Sequence, residues 1–146
     1  MLKRIRLFSV AVADLEAATK QYQQLFGLEV VSPARETQFG FKAVSLGSDG
    51  EPLVELIQPV DPNSPLARFM KERAYPSNPK GEGVYMINIA VDDVKQAAQR
   101  VADHGGRLTR QGNMSNAVWV HPTSAHFAFI ELLQAEQRPS GASRPS

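Results

Sequence analysis

A chain of 146 residues and 16.0 kDa has the length of one compact domain, and its net charge of +1 is too small to mark a surface for nucleic acid or an anionic membrane. The lack of any cysteine excludes disulfides, thiolate metal sites, iron–sulfur ligation and a cysteine nucleophile. With 42% hydrophobic and 21% charged residues the body is expected to fold, and since no apolar run reaches the length of a membrane span or a secretory leader, a cytoplasmic location is expected.

Alternation through Leu7-Phe8-Ser9-Val10-Ala11-Val12 predicts a half-buried strand. A helix should follow, capped by Asp14, striped by Leu15, Ala18, Tyr22, Leu25 and Phe26, and stopped by Gly27. Val30-Val31, Phe39 to Leu46 and Leu53 to Ile57 predict three strands, separated at Ser32-Pro33 and at the turn Gly47-Ser48-Asp49-Gly50. From Pro59 to Gly83 the chain is a proline-rich linker with one short helix, capped by Ser64, opened by Pro65 and ending near Arg73. A strand over Val84 to Val91 comes next, then a helix capped by Asp92 or Asp93, striped by Val94, Ala97, Ala98, Val101 and Ala102 and ended by Gly105-Gly106. Arg107 to Arg110, Ala117 to Val120 and Phe127 to Leu133 predict the last strands.

The second half repeats the first. Ala11-Val12-Ala13-Asp14-Leu15 returns 79 residues later as Ala90-Val91-Asp92-Asp93-Val94, and Val54-Glu55-Leu56-Ile57-Gln58 returns 76 residues later as Ile130-Glu131-Leu132-Leu133-Gln134. The pattern predicts an α+β fold of two tandem β-α-β-β-β modules. One domain over 1–135 is expected, with module 1 at about 4–59, the linker at 60–83 and module 2 at about 84–135; the tail at 136–146, rich in Ser, Pro and Arg, is expected to be disordered.

Strand alternation assigns Phe8, Val10 and Val12 to the helix side, with Leu7, Ser9 and Ala11 opposite; Ile87, Ile89 and Val91 match the first set, Met86, Asn88 and Ala90 the second. A second face built from Leu, Ser, Ala, Met and Asn suits a shielded cavity or a packed dimer face better than open solvent. Glu55 and Glu131 stand at repeat-equivalent positions inside apolar strands. Burying such carboxylates requires a metal, a cation, a shared proton or hydrogen bonds, because uncompensated burial costs several kcal/mol.

These features, with Leu25-Phe26-Gly27-Leu28-Glu29-Val30, Ser64-Pro65-Leu66-Ala67-Arg68-Phe69, Gly81-Glu82-Gly83, and His121-Pro122 through His126 to Leu132, resemble the vicinal oxygen chelate superfamily of glyoxalases, bleomycin-resistance proteins, extradiol dioxygenases and methylmalonyl-CoA epimerases, and the epimerase branch most. The resemblance implies curved mixed sheets around a cleft, often in a homodimer, and a metal held by a His on each module's first strand and a Gln or Glu on its last. Glu55 and Glu131 occupy the last-strand positions, whereas Leu7 and Met86 stand where the histidines belong. Two carboxylates, a side chain without a lone pair and a soft thioether make a poor divalent site, so no cofactor is expected and a metal is disfavoured. Thr37-Gln38-Phe39-Gly40 also lacks the Glu that epimerases place before the corresponding Gly.

The expected ligand cavity takes in Leu7, Ser9, Met86, Asn88, Trp119, His121, His126 and Phe129, with Glu55 and Glu131 as the catalytic pair. Arg68, Lys71, Arg73 and Lys80 are candidates for CoA phosphates or solvated charges, and His104 reads as a helix C-terminal residue. Two functions remain open: a metal-independent isomerase or lyase acting on a small carbonyl, acyl or CoA-thioester ligand, and a noncatalytic sequestration protein of the resistance type. A metal enzyme with an altered ligand set ranks behind both. The expected partners are a small molecule and a second copy of the chain, with neither nucleic acid nor membrane.

Overall fold

The computed structural model describes residues 1–109 and 116–135; the expected disordered tail at 136–146 and the end of the strand expected at Arg107 to Arg110 lie outside them. In chain order the elements are β1 (Leu2–Ala11), α1 (Leu15–Phe26), β2 (Glu29–Glu36), β3 (Phe41–Ser48), β4 (Glu51–Pro59), α2 (Pro65–Arg73), β5 (Gly83–Val91), α3 (Val94–Asp103), β6 (Leu108–Thr109), β7 (Ala117–Val120) and β8 (Ile130–Gln134), with a 3-10 turn at Pro122–Ser124 before β8.

The helices begin where the side chains can satisfy orphan amides. The Asp14 carboxylate accepts from the Ala17 N–H at 3.0 Å, and Asp93 accepts from Lys95 and Gln96. A second cap arrives from the sheet: the Leu15 N–H donates to Gln58 Oε1 at 2.8 Å and the Val94 N–H to Gln134 Oε1 at 2.9 Å. Each module's last strand therefore grips the start of its own helix. Gly27 ends α1 at φ 66°, a left-handed conformation that glycine adopts without a Cβ penalty.

The eight strands form one mixed sheet in the order β2-β3-β4-β1-β5-β8-β7-β6. Each half pairs its first and last strands in parallel, β1 with β4 and β5 with β8. The halves meet at an antiparallel seam between β1 and β5, where Leu7 faces Asn88, Phe8 faces Ile87 and Ser9 faces Met86. The first and third pairs exchange under a twofold axis through the second, so Leu7 and Met86 are equivalent, as are Ser9 and Asn88. On the helix face, α1 packs with Val10, Val12, Val44, Leu46, Val54 and Leu56, while α3 packs with Val91, Val120 and Leu132. On the other face, Leu66 and Met70 of α2 cover Ala11, Ala43 and Ile57. Helix α2 comes from the linker and has no counterpart among the described residues of the second half. Beyond it, Glu82 accepts from the Ala13 N–H, so Gly81-Glu82-Gly83 ties the linker to the end of β1.

Several boundaries differ from expectation for local reasons. Strand β2 continues through Ser32-Pro33, because its register slips by one residue between Val30 and Ser32 and again between Ser32 and Arg35, and a proline is tolerated at such a bulge. Phe39 lies in the turn before β3. The last strand starts at Ile130 instead of Phe127, since His126 and Phe127 have φ of 51° and 67°.

Candidate functional site

Glu55 and Glu131 stand at corresponding points of the two halves, on the sheet face opposite α1 and α3. Glu55 on β4 lies between Ser9 of β1 and Ser45 of β3, and Glu131 on β8 lies between Asn88 of β5 and Trp119 of β7. Both line one cavity of about 640 Å³, within the usual range for small-molecule sites. The sheet must curl to make it. Phe39, in the turn that leads into β3, sits 6.1 Å from Trp119 of β7 between ring centroids, although five strand spacings separate β3 from β7, about 24 Å if the sheet were flat.

The two carboxylates are satisfied differently. Glu131 accepts from Asn88 Nδ2 at 2.7 Å on Oε1 and from Trp119 Nε1 at 2.9 Å on Oε2. Glu55 instead accepts from Arg35 Nη2 at 3.1 Å, a guanidinium supplied by β2. Burial raises the Glu55 carboxyl above its ordinary range, with Arg35 opposing it. Glu131 is raised too, first by burial; the Trp119 hydrogen bond opposes this, and the Glu55 charge adds to it. Behind them the Ser9 hydroxyl and Asn88 Oδ1, at twofold-equivalent positions, are buried without a hydrogen-bond partner among the described residues.

Of the cavity residues expected from the sequence, Ser9, Glu55, Met86, Trp119, Phe129 and Glu131 line it. Leu7, Asn88, His121 and His126 do not. The reason for Leu7 is that α2 walls the cavity at the Ala11 end of the seam, whereas Leu7 lies toward the other end, opposite Asn88. Asn88 is 5% exposed and reaches the cavity through its hydrogen bond to Glu131. His121 caps the 3-10 turn, its Nδ1 2.7 Å from Thr123 Oγ1, and His126 is exposed at a left-handed backbone position. Among the linker cations, Arg73 donates to the Val84 carbonyl and stacks over Phe69, while Arg68, Lys71 and Lys80 do not line the cavity. His104 is the C-cap of α3, its Nδ1 2.9 Å from the Arg100 carbonyl oxygen.

Arg35, Tyr85 and Phe39 also line the cavity, outside the expected set. A bulge explains Tyr85. Ser9 pairs with Met86 but Val10 with Val84, leaving Tyr85 as the extra residue, so Tyr85 and Met86 both reach the cavity face. Tyr85 there contacts Phe69 and Phe129 edge-on, and burial raises its phenol.

A divalent ion of the kind implied by the superfamily resemblance does not fit these residues. Both Glu131 oxygens already accept protein hydrogen bonds, one Glu55 oxygen is held by a guanidinium, Leu7 has no donor atom, and Met86 offers only a soft thioether. Among the described residues no group of three or more His, Cys, Asp or Glu side chains could hold a metal ion, and no helix is long and apolar enough to cross a membrane.

Known proteins share this architecture. The chain is 29% identical to an ethylmalonyl-CoA/methylmalonyl-CoA epimerase of Cereibacter sphaeroides, over 92% of this chain and 99% of that protein. It is 30% identical to the mitochondrial methylmalonyl-CoA epimerase of Bos taurus, over 92% of this chain and 75% of the relative. A Streptomyces coelicolor methylmalonyl-CoA epimerase solved with 2-nitronate-propionyl-CoA superposes with a TM-score of 0.75 at 26% identity, over 94% of this chain and all of the other. Residues 8–129 match the family described as the Glyoxalase/Bleomycin resistance protein/Dioxygenase superfamily, and the chain belongs to that superfamily.

Proposed function

We propose that this protein binds an acyl-CoA thioester in its cleft and moves a proton at the α-carbon of the acyl group, using Glu55 and Glu131 in place of metal-assisted chemistry. The observation that carries this reading is the convergence of two buried carboxylates, each raised by burial, on a single cavity. Two such groups with one proton between them can act as base and acid. Glu55, held by a cation, is the better carboxylate base. Glu131, held by neutral donors and facing the charge of Glu55, is the better carrier of the proton. Glu55 takes the α-proton, the C–H electron pair passes into the enolate, and Glu131 returns a proton to the same carbon; exchange with solvent resets the pair. Relatives named as CoA-ester epimerases make the thioester the substrate class of choice.

The test is deuterium incorporation at the α-carbon of methylmalonyl-CoA in heavy water, followed by NMR. Exchange above the buffer rate is expected, unchanged by chelator and reduced about 100-fold or more by Glu55→Gln or Glu131→Gln. Because the pair acts as a unit, the double variant should be little worse than either single one. Loss of exchange on chelation with recovery on added divalent ion would overturn the metal-independent mechanism.

Gln38-Phe39-Gly40, where epimerases carry a Glu, favours a second reading, capture of the ligand without turnover. Stoichiometric binding with no exchange would select it. A homodimer completes the proposal: the central strands β1 and β5 carry exposed Leu2, Ile5, Phe8 and Val84, and sedimentation at two concentrations tests their burial.

A further inference from the structure

The cavity is acidic. Among the described residues lining it, Glu55, Glu131 and Asp61 are acidic and Arg35 alone is basic. An anionic ligand group entering this space finds one counterion.

Arg35 owes its position to backbone register. Residues directly opposite in adjacent strands share a face, and Ser32 faces Ser45 while Arg35 faces Ala43. Three residues of β2 thus span two of β3. A first slip between Val30 and Ser32 reverses the facing of β2 and this second one restores it, so that Arg35 lies on the face of Glu55, where one N–H group is anchored at 3.1 Å. A guanidinium has five N–H donors in a rigid fork. The donors on Nε and Nη1 have no protein acceptor among the described residues, and 44% of the side chain is exposed.

We propose that Arg35, steadied by Glu55, is the specificity-determining residue of the cleft and receives a carboxylate on the acyl part of the ligand through its remaining N–H donors. The assignment rests on the thioester reading for the identity of the ligand, but not for the chemistry of recognition, since any small carboxylate can use the same fork. The guanidinium does here what the missing metal ligands cannot: it presents fixed positive charge to an anion beside two carboxylates. Planar bidentate geometry favours carboxylate over a neutral carbonyl, and lysine would keep the charge but lose the fork.

The experiment is calorimetric binding of malonyl-CoA and acetyl-CoA, which differ by one carboxylate. The wild type should bind malonyl-CoA about 10- to 100-fold more tightly. Arg35→Met should erase that preference while leaving acetyl-CoA binding within about threefold, and Arg35→Lys should retain part of it, with circular dichroism confirming that both variants fold. Equal binding of the two esters by the wild type, or an undiminished preference in Arg35→Met, would overturn the assignment. If neither ester binds, the thioester reading fails and Arg35 is judged on malonate against malonamide. Malonate binding that Arg35→Met abolishes supports the assignment, and no malonate binding by the wild type rejects it.

Discussion

The two halves of the sheet place a glutamate at the same point and then treat it differently. In the first half the strands beside Glu55 contribute only Ser9 and Ser45, too short to enclose both carboxylate oxygens, and compensation comes from Arg35 one strand further out. In the second half Asn88 and Trp119 stand directly beside Glu131 and donate one hydrogen bond to each oxygen. Duplication supplied two like acids, and the neighbours made them unlike: one is paired with a half-exposed cation and the other is locked by neutral donors. This is how a symmetric scaffold obtains an asymmetric proton pair.

The locked half should be the more fragile to side-chain loss. Trp119→Phe leaves Glu131 Oε2 buried without its donor and should cost about 1–3 kcal/mol, whereas Arg35→Met should cost at most about 1 kcal/mol because that pair is partly solvated. Urea melts of the two variants check this, and equal losses would break the distinction between the halves. The strand-to-helix caps are unequal, because Gln134 also donates its amide to the Asp92 carbonyl: Gln58→Ala should cost about 1 kcal/mol and Gln134→Ala about 1 kcal/mol more.

Titration sharpens the contrast further. Burial lifts the folded-state Glu131 carboxyl above its unfolded value of 4.5, so the folded chain holds the extra proton between those two values and stability falls as pH rises through that window. Glu131→Gln removes this dependence, so its melting temperature relative to wild type should climb from about pH 4.5 upward and level off above the folded-state value. Asn88 can turn its unpartnered Oδ1 toward the new amide, which keeps the site satisfied. Glu55→Gln should show the same sign with a smaller gain, because Arg35 loses its partner. A difference independent of pH in both variants would show that burial does not set these carboxyls. The smallest effect is expected at exposed His126, where Ala should change stability by no more than about 0.5 kcal/mol and leave ligand binding unaltered.

Much of the scaffold was legible because it is written in local chemistry. Asp14, Ser64 with Pro65, and Gly27 announce helix ends by side-chain type alone and cap as expected, and of the pair Asp92 and Asp93 it is Asp93 that caps α3. The repeat placed Glu55 and Glu131 in register because equal strand positions fall on equal faces. What escaped the reading depends on pairing between distant strands. Tyr85 faces the cavity through a bulge, a mismatch of one residue against a partner strand, and strict alternation sends it to the other side. Arg35 lies beyond two such slips in β2, whose effects on facing cancel, and its place beside Glu55 depends on which residue of β3 it pairs with. The caps from Gln58 and Gln134 span 43 and 40 residues and leave no trace in the spacing around either helix. The hairpin histidines misled for the opposite reason: His121 is committed to a local turn, a use no less natural for its sequence than a ligand site.

The slip at Pro33-Ala34 also says something about how such a cleft can change during descent. Removing one codon there while the slip before Ser32 is kept would set Ala34 opposite Ala43 and turn the guanidinium off the cavity face, and restoring it would bring the charge back. Length at one point of an edge-proximal strand is therefore an inheritable setting for the electrostatics of the pocket. Relatives that differ there by a single gap can be expected to differ in the ligands they accept more than their overall identity would indicate.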